Sequence, residues 1–103
     1  MRKRLYFENS KGEEQVIKNN AQTWEEVVDA IRIFIRNCNV HKLNDARYKY
    51  GENFDESKFV PFKWHYTRTW QQEDGRTRID VGSHTEFFIW EGSINENEDN
   101  YAE

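Results

Sequence analysis

The sequence is poor in cysteine and has no long apolar run. Cys38 is the only cysteine among 103 residues, so no disulfide forms within the chain, which fits a reducing compartment. No apolar segment approaches the roughly 20 residues of a membrane-spanning helix. The basic start Arg2-Lys3-Arg4 is not followed by the apolar stretch of a signal peptide. These absences predict a soluble, intracellular protein.

The spacing of cysteine and histidine does not favour a metal centre. Cys38 and His41 form a Cys-x-x-His pattern, but no second pair accompanies them, and His65 and His84 lie far along the chain. A protein zinc site needs three or four ligands. We therefore predict no metal and no cofactor. Cys38 is interpreted as a small core residue and His41 as a loop residue.

A catalytic centre is not expected either. Asp80, Ser83 and His84 carry groups used in nucleophilic catalysis, which requires the histidine within hydrogen-bond reach of the serine. Neighbouring residues of a strand point to opposite faces, so Ser83 and His84 are poorly placed for this role. We interpret the segment as a structural turn in which Gly82 takes a positive φ and short polar side chains bond backbone N–H groups. The sequence predicts a protein that is not an enzyme.

An excess of positive charge is also missing. The net charge is −4, and the segment from Glu91 onward carries five acidic residues and no base. A sequence-independent DNA-binding protein normally has a basic face. We interpret residues 93–103 as a disordered acidic tail.

Aromatic residues are what the chain has in abundance. They make up 16% of the sequence, whereas all hydrophobic residues together reach only 36%. A buried aromatic ring removes about 150–250 Å² of surface from water, so a few rings can form the core of a small domain. We therefore predict one folded domain over residues 1–92.

The first half of this domain is predicted to be a hairpin followed by a helix. Lys3–Asn9 and Gln15–Lys18 are short strand-like segments on either side of the turn Asn9–Gly12. Thr23–Glu26 has the pattern of a capping box, and the apolar residues after it repeat at helical spacing. The helix is predicted from about Trp24 to Asn37.

A long polar segment follows the helix. His41–Ser57 is predicted to be an irregular loop, with a short helix around Leu43–Tyr48 as the alternative, and loops of this length are often functional. Ile33 lies off the apolar face of the helix. It is either an ordinary exposed residue or part of a partner-binding surface.

Three strands are predicted after this loop. Residues 62–70 alternate strictly after Pro61, with aromatic side chains on one face. Asp74-Gly75 favours a type I′ turn into Thr77–Val81, and Glu86–Glu91 is the last strand. The predicted order is β-β-α-β-β-β. This is an α+β fold in which one amphipathic helix packs on an antiparallel sheet.

Aromatic and basic residues interleave along and after the long strand, and they form the candidate site. Its residues are Trp64, Arg68, Trp70, Arg76 and Arg78, joined by His84 and Glu86. An alternating aromatic face suits a core beneath the helix. The same residues also suit a protein-binding surface or a platform that stacks single-stranded bases. No Gly-x-x-Gly clamp or RNA-binding aromatic signature favours the nucleic-acid alternative.

The C-terminal part of the ordered chain resembles small uncharacterised accessory proteins of phages and integrated elements of Gram-positive bacteria. The resemblance lies in Tyr66–Trp70, Glu73–Thr77 and Asp80–Phe88. Those proteins share an Asp-x-Gly-Ser-His-Thr-x-Phe-Phe-like signature after an aromatic, arginine-containing strand. The resemblance implies a mobile-element origin and an accessory role in the cytoplasm of a bacterial host. It assigns no activity to individual residues.

The acidic balance, the aromatic content and the missing active site favour a function in protein–protein binding. Small phage accessory proteins commonly inhibit host proteins, so the expected partner is a host defence nuclease, as for anti-CRISPR proteins, or a replication factor. The alternative is a module that binds single-stranded nucleic acid. In it, Arg68, Arg76 and Arg78 would meet phosphates, while Trp64 or Trp70 would stack on bases.

Overall fold

The computed structural model describes residues 1–94 and has one long helix on a five-stranded antiparallel sheet. In chain order the elements are β1 (Leu5–Glu8), β2 (Glu14–Lys18), α1 (Trp24–Tyr50), β3 (Arg68–Gln71), β4 (Thr77–Asp80) and β5 (Phe87–Trp90). The strands lie in the order β2-β1-β5-β4-β3. The predicted α+β class and the order β-β-α-β-β-β are therefore confirmed. Of the predicted acidic tail, residues 95–103 lie outside the described part of the chain.

The core lies between the sheet and the first half of α1. Alternate residues of the three central strands face the helix and are buried: Leu5, Phe7, Ile79, Phe88 and Trp90. The buried helix residues repeat at helical spacing: Trp24, Val27, Ile31 and Ile35. In α1, which is described throughout, no residue after Ile35 is buried. The second half of the helix therefore extends past the main core.

The β1–β2 and β3–β4 hairpins turn in the same way, and the predicted type I′ turn at Asp74-Gly75 is wrong. The Gly75 N–H donates to the Gln72 carbonyl at 3.0 Å, and the Gln72 N–H donates to the Arg76 carbonyl at 2.8 Å. Gly75 has φ +90, but Asp74 does not have a positive φ. This is the type I turn followed by a left-handed glycine that three-residue hairpin loops use. The Asn9–Gly12 turn of the first hairpin has the same pattern of bonds.

The start of α1 is as predicted, with one change in its cap. The Thr23 hydroxyl accepts a hydrogen bond from the Glu26 N–H at 3.2 Å. The Glu26 carboxylate, however, accepts from the Gln22 N–H at 3.1 Å and so reaches one residue beyond the expected capping-box partner. Glu25 and Glu26 lie in the first turn and Arg47 and Lys49 in the last, where each sign of charge suits the helix dipole.

The predicted end of the helix at Asn37 is wrong, because α1 continues to Tyr50. The Asn39 amide is engaged elsewhere: its Nδ2 donates to the Phe62 carbonyl at 2.8 Å, and its Oδ1 accepts from the Phe62 N–H at 2.7 Å. The side chain is then not available to compete for the helix backbone, which is how asparagine usually weakens a helix. The predicted loop at His41–Ser57 is therefore mostly helix.

The predicted long strand over residues 62–70 is interrupted. Only Arg68–Gln71 forms a regular strand. Before it, the N–H groups of His65 and Tyr66 both donate to the Val81 carbonyl, at 2.8 and 3.4 Å. Two consecutive donors on one carbonyl are the mark of a β-bulge, which inserts one extra residue and shifts the alternation. Even-numbered residues before the bulge consequently face the opposite side of the sheet from even-numbered residues after it.

Candidate functional site

The candidate site is the face of the sheet that lies opposite α1, called here the open face. The cross-strand pairs that define it are Tyr6 with Ile89, Arg78 with Ile89, Trp70 with Arg78, and Arg68 with Asp80. These residues lie on the open face because side chains alternate along a strand and their neighbours in the chain face the helix. The open face therefore contains four of the seven predicted site residues: Arg68, Trp70, Arg76 and Arg78.

Two arginines of the open face are paired with carboxylates from the first hairpin. Arg78 binds both carboxylate oxygens of Glu8, at 2.7 and 3.2 Å, and Arg76 binds both oxygens of Glu14, at 2.9 and 3.2 Å. The hydrogen bonds from Arg76 lower the pKa of Glu14. Arg76 also lies over the Tyr6 ring and Arg78 over the Phe87 ring, with centroid distances of 5.3 and 4.7 Å. These arginines therefore tie β4 to β1 and β2 and carry little unbalanced charge.

Arg68 is arranged differently and is the exposed centre of an aromatic cluster. Its guanidinium lies 5.7 Å from the Tyr66 ring centroid and 5.9 Å from that of Trp70. The Arg68 side chain is 60% exposed, and Trp70 is 43% exposed. The Trp70 ring in turn makes an edge contact with Phe87 at 6.3 Å. We call Tyr66, Arg68 and Trp70 the Arg68 cluster.

A fully buried carboxylate holds this cluster in place. Asp80 accepts a hydrogen bond from Arg68 at 2.9 Å and another from the Gly82 N–H at 2.8 Å. Burial by itself raises the pKa of Asp80, but the bonds from Arg68 and from the N–H groups of Gly82 and His84 outweigh it and leave the pKa below its ordinary value. Asp80 is thus a charged anchor beneath an exposed arginine.

His84 borders the cluster, whereas Glu86 belongs to the turn. The His84 ring lies 3.1 Å from the Tyr66 hydroxyl through Nε2, and its Nδ1 is 3.9 Å from the Asp80 carboxylate. Glu86 donates its N–H to the Ser83 hydroxyl at 3.2 Å. Gly82 has φ +108 and its N–H donates to Asp80, so the conformation predicted for this turn is confirmed. Among the described residues, His84 is the only residue other than glycine with a positive φ.

Trp64 does not belong to the open face. It precedes the bulge, packs against the hydrophobic core from the helix side, and donates its indole N–H to Thr67 at 2.8 Å. The Arg32 guanidinium lies 5.8 Å from its ring centroid. The prediction that Trp64, Arg68 and Trp70 share one face is therefore wrong, because the bulge separates the first from the other two.

Four further residues that contact these arginines were not predicted. Tyr6 and Phe87 contribute rings to the open face, and Glu8 and Glu14 contribute carboxylates. A signal was present in β1, where Tyr6 and Glu8 alternate with the core residues Leu5 and Phe7. Their pairing with arginines about 70 positions away depends on strand register, which the sequence alone does not specify.

The described residues offer no group of three or more metal ligands. Burial raises the pKa of the Cys38 thiol, so a reactive thiolate is not favoured there. Within residues 1–94, no helix is long and apolar enough to cross a membrane. Comparison with protein-family models, curated proteins and solved structures found no match for this chain.

Proposed function

We propose that this chain is a protein-binding accessory protein and that the Arg68 cluster is the centre of its binding surface. Tryptophan, tyrosine and arginine are the residues that most often dominate the energy of protein interfaces. Here all three are adjacent and partly exposed, and the arginine between the two rings is held by the buried carboxylate of Asp80. A side chain that is already fixed loses less entropy when a partner binds. The pre-organised Arg68 cluster is the observation that carries this proposal.

The charge of the open face supports a protein partner over a nucleic acid. Nucleic-acid affinity depends on cations that are free to neutralise phosphates. Arg76 and Arg78 are each paired with a carboxylate through two hydrogen bonds. A phosphate would have to displace Glu14 or Glu8 to reach them.

The proposed partner is a host protein in the cytoplasm of a bacterium. The resemblance to phage and mobile-element accessory proteins supports inhibition of a host defence nuclease, as by anti-CRISPR proteins, or of a replication factor. Such enzymes hold nucleic acid in basic channels. An acidic protein, with a net charge of −4, can compete for them.

Affinity capture from a Gram-positive host lysate with matched variants tests this proposal. The parent should capture a discrete host protein, and Trp70→Ala should lose it while remaining folded in a thermal melt. Tyr48→Ala is the control, because Tyr48 is a 94% exposed aromatic residue on α1. Capture that survives Trp70→Ala and Arg68→Ala would contradict the role of this cluster, and repeated capture of nothing specific would contradict protein binding itself.

Binding of single-stranded nucleic acid is the second candidate, and the stacked arrangement of Tyr66, Arg68 and Trp70 favours it. Arg68 would contact a phosphate while Trp70 stacks on a base. A fluorescence titration with an oligonucleotide at about 50 mM salt tests this, because electrostatic binding is strongest at low salt. No change at micromolar protein would remove this candidate.

A further inference from the structure

A second surface lies away from the open face, along the projecting half of α1. A groove of about 510 Å³ runs between the helix and the segment that leads to β3. Its apolar lining is Ile35, Val40, Leu43, Phe59 and Trp64. A hollow of about 420 Å³, which shares Phe59, extends it toward Tyr50 and Val60. The two together follow α1 from Arg32 to Tyr50, about 27 Å at ~1.5 Å per residue.

The groove is already formed in the free protein. The two hydrogen bonds between Asn39 and the Phe62 backbone fix one wall to the helix. Lys42 lies over the Phe62 ring at 5.7 Å, and Arg32 lies over Trp64. Val40 is nevertheless 52% exposed and Val60 84% exposed. The groove is therefore a preformed apolar surface that the described part of the chain leaves uncovered.

The charge that lines the 510 Å³ groove is positive, whereas the 420 Å³ hollow is lined by one acid and one base, Asp55 and Lys58. The residues that line the 510 Å³ groove include Arg32 and Arg36 and no carboxylate. The projecting half of the helix carries one acidic residue, Asp45, against four basic ones, Arg36, Lys42, Lys49 and Arg47, of which Arg47 is paired with Glu56. The first half of α1 has the opposite balance. An occupant of this groove must therefore combine apolar side chains with negative charge.

We propose that the groove binds an acidic amphipathic helix of the partner protein. Its apolar side chains would fill the groove between Val40 and Phe59, and its carboxylates would pair with Arg36 and neighbouring cations. Docking of an amphipathic helix into an apolar groove is a recurrent mode of peptide recognition. The inference rests on the proposed function, because it supplies a second contact for the same protein partner.

Two synthetic peptides of about 18 residues, long enough to span both hollows at ~1.5 Å per residue, test this chemistry. Both carry leucine and phenylalanine on one helical face, with glutamate on the other face of one peptide and lysine in the second. The acidic peptide should shift the nuclear magnetic resonance signals of the Trp64 indole and of backbone amides 35–43 and 59–64. The basic peptide should not. Equal binding of both, or of neither, would overturn the proposal.

Matched helix variants locate the binding site. Val40→Glu and Arg36→Glu should each weaken the acidic peptide about tenfold or more, as loss of a central interface residue does. Ile33→Glu should not, although Ile33 is 49% exposed on the same helix and thus resembles Val40 at 52%. An equal loss with Ile33→Glu would show binding outside the groove and overturn the proposal. Light scattering of the parent that shows a dimer abolished by Val40→Glu would instead assign the groove to a second copy of this chain.

Capture of the host partner separates this inference from the proposed function. Loss of the partner with both Trp70→Ala and Val40→Glu supports both surfaces. Loss with Trp70→Ala alone would overturn the groove proposal and leave the proposed function intact. Loss with Val40→Glu alone would place protein binding in the groove and contradict the role given to the Arg68 cluster.

Discussion

The two faces of the sheet are stabilised by different chemistry, and two neighbours in β5 show the contrast. Phe88 and Ile89 are both fully buried. Phe88 faces the helix and packs against the rings of Phe7 and Phe34 at 5.4 and 5.8 Å. Ile89 lies on the open face between its cross-strand neighbours Tyr6 and Arg78. A long arginine side chain can therefore help to bury an apolar residue without a second layer of helices, since its methylene stem can cover that residue while its charged end pairs with a carboxylate, as Arg78 does with Glu8.

Alanine substitution of these two neighbours gives the largest expected effect. Phe88→Ala should lower the free energy of unfolding by about 3–5 kcal/mol, because it leaves a cavity inside a rigid cluster of rings. Ile89→Ala should cost about 2 kcal/mol, the low end for such a change, since the flexible Arg78 side chain can close over the gap. Urea unfolding of both variants measures the difference. Equal costs would mean that the two faces are equally rigid.

Gly82→Val should cause the next largest loss of stability. Gly82 follows Val81, whose carbonyl accepts both hydrogen bonds of the β-bulge. Gly82 has φ +108, and a Cβ atom there would lie 2.8 Å from the Cβ atom of His65. Strain and overlap together should cost about 2–4 kcal/mol. Gly75→Val is the control, because Gly75 has φ +90 but nothing within 4 Å of an added Cβ atom. A thermal melt in which the two variants match would show that contact with His65 contributes nothing.

The contribution of the open face to stability should fall in acid, whereas the contribution of the apolar face that packs on the helix should not. The pKa of Asp80 is lower in the folded protein than its ordinary value of 3.8. Its carboxylate therefore stabilises the fold above pH 3.8, and this contribution is lost as the pH falls through the folded-state pKa. Asp80→Asn should cost about 1.5 kcal/mol at pH 7 and flatten the acid limb of the stability curve. An unchanged acid limb, measured by urea unfolding between pH 2 and 7 (roughly the range in which carboxylates titrate), would contradict this.

The smallest effect on stability is expected at the Glu14–Arg76 ion pair, which lies at the edge of the open face. Glu14→Gln removes one charge of the Arg76 pair, whose side chains are 23% and 32% exposed. Partly exposed pairs of this kind are worth about 0.2–1 kcal/mol. The difference from the parent should shrink in high salt, because salt screens exposed charges. A difference that is independent of salt would show that Glu14 acts through packing.

Local signals predicted the parts of the fold that depend on neighbours in the chain. Thr23 marks the helix start, and glycine residues mark the hairpin turns. The helix end could not be read in this way, because Asn39 is satisfied by Phe62, which lies 23 positions away. The residues around Asn39 by themselves favour the end of a helix, but the tertiary contact with Phe62 reverses that preference.

The candidate site was predictable in composition but not in arrangement. The sequence identifies Arg68, Trp70, Arg76 and Arg78 as a group. It does not reveal that two of them are neutralised by Glu8 and Glu14, at separations of 70 and 62 residues. The bulge opposite Val81 was also hidden, because strict alternation before and after it looks like one continuous strand. Both the ion pairs and the bulge depend on the register in which the strands pair, which the sequence alone does not specify.

The bulge and the Asn39 contact have a consequence for self-association. The alternating segment 62–70 would otherwise form a long aromatic strand at the edge of the sheet, with unpaired N–H and C=O groups along it. Exposed edges of this kind template the pairing of one molecule with the next and lead to aggregation. Here the edge strand β3 is only four residues long, since Phe62 is bound to Asn39 and His65 bends at the bulge. At the β3 side of the sheet, the chain thus keeps an aromatic-rich strand sequence while offering little edge on which an aggregate could grow.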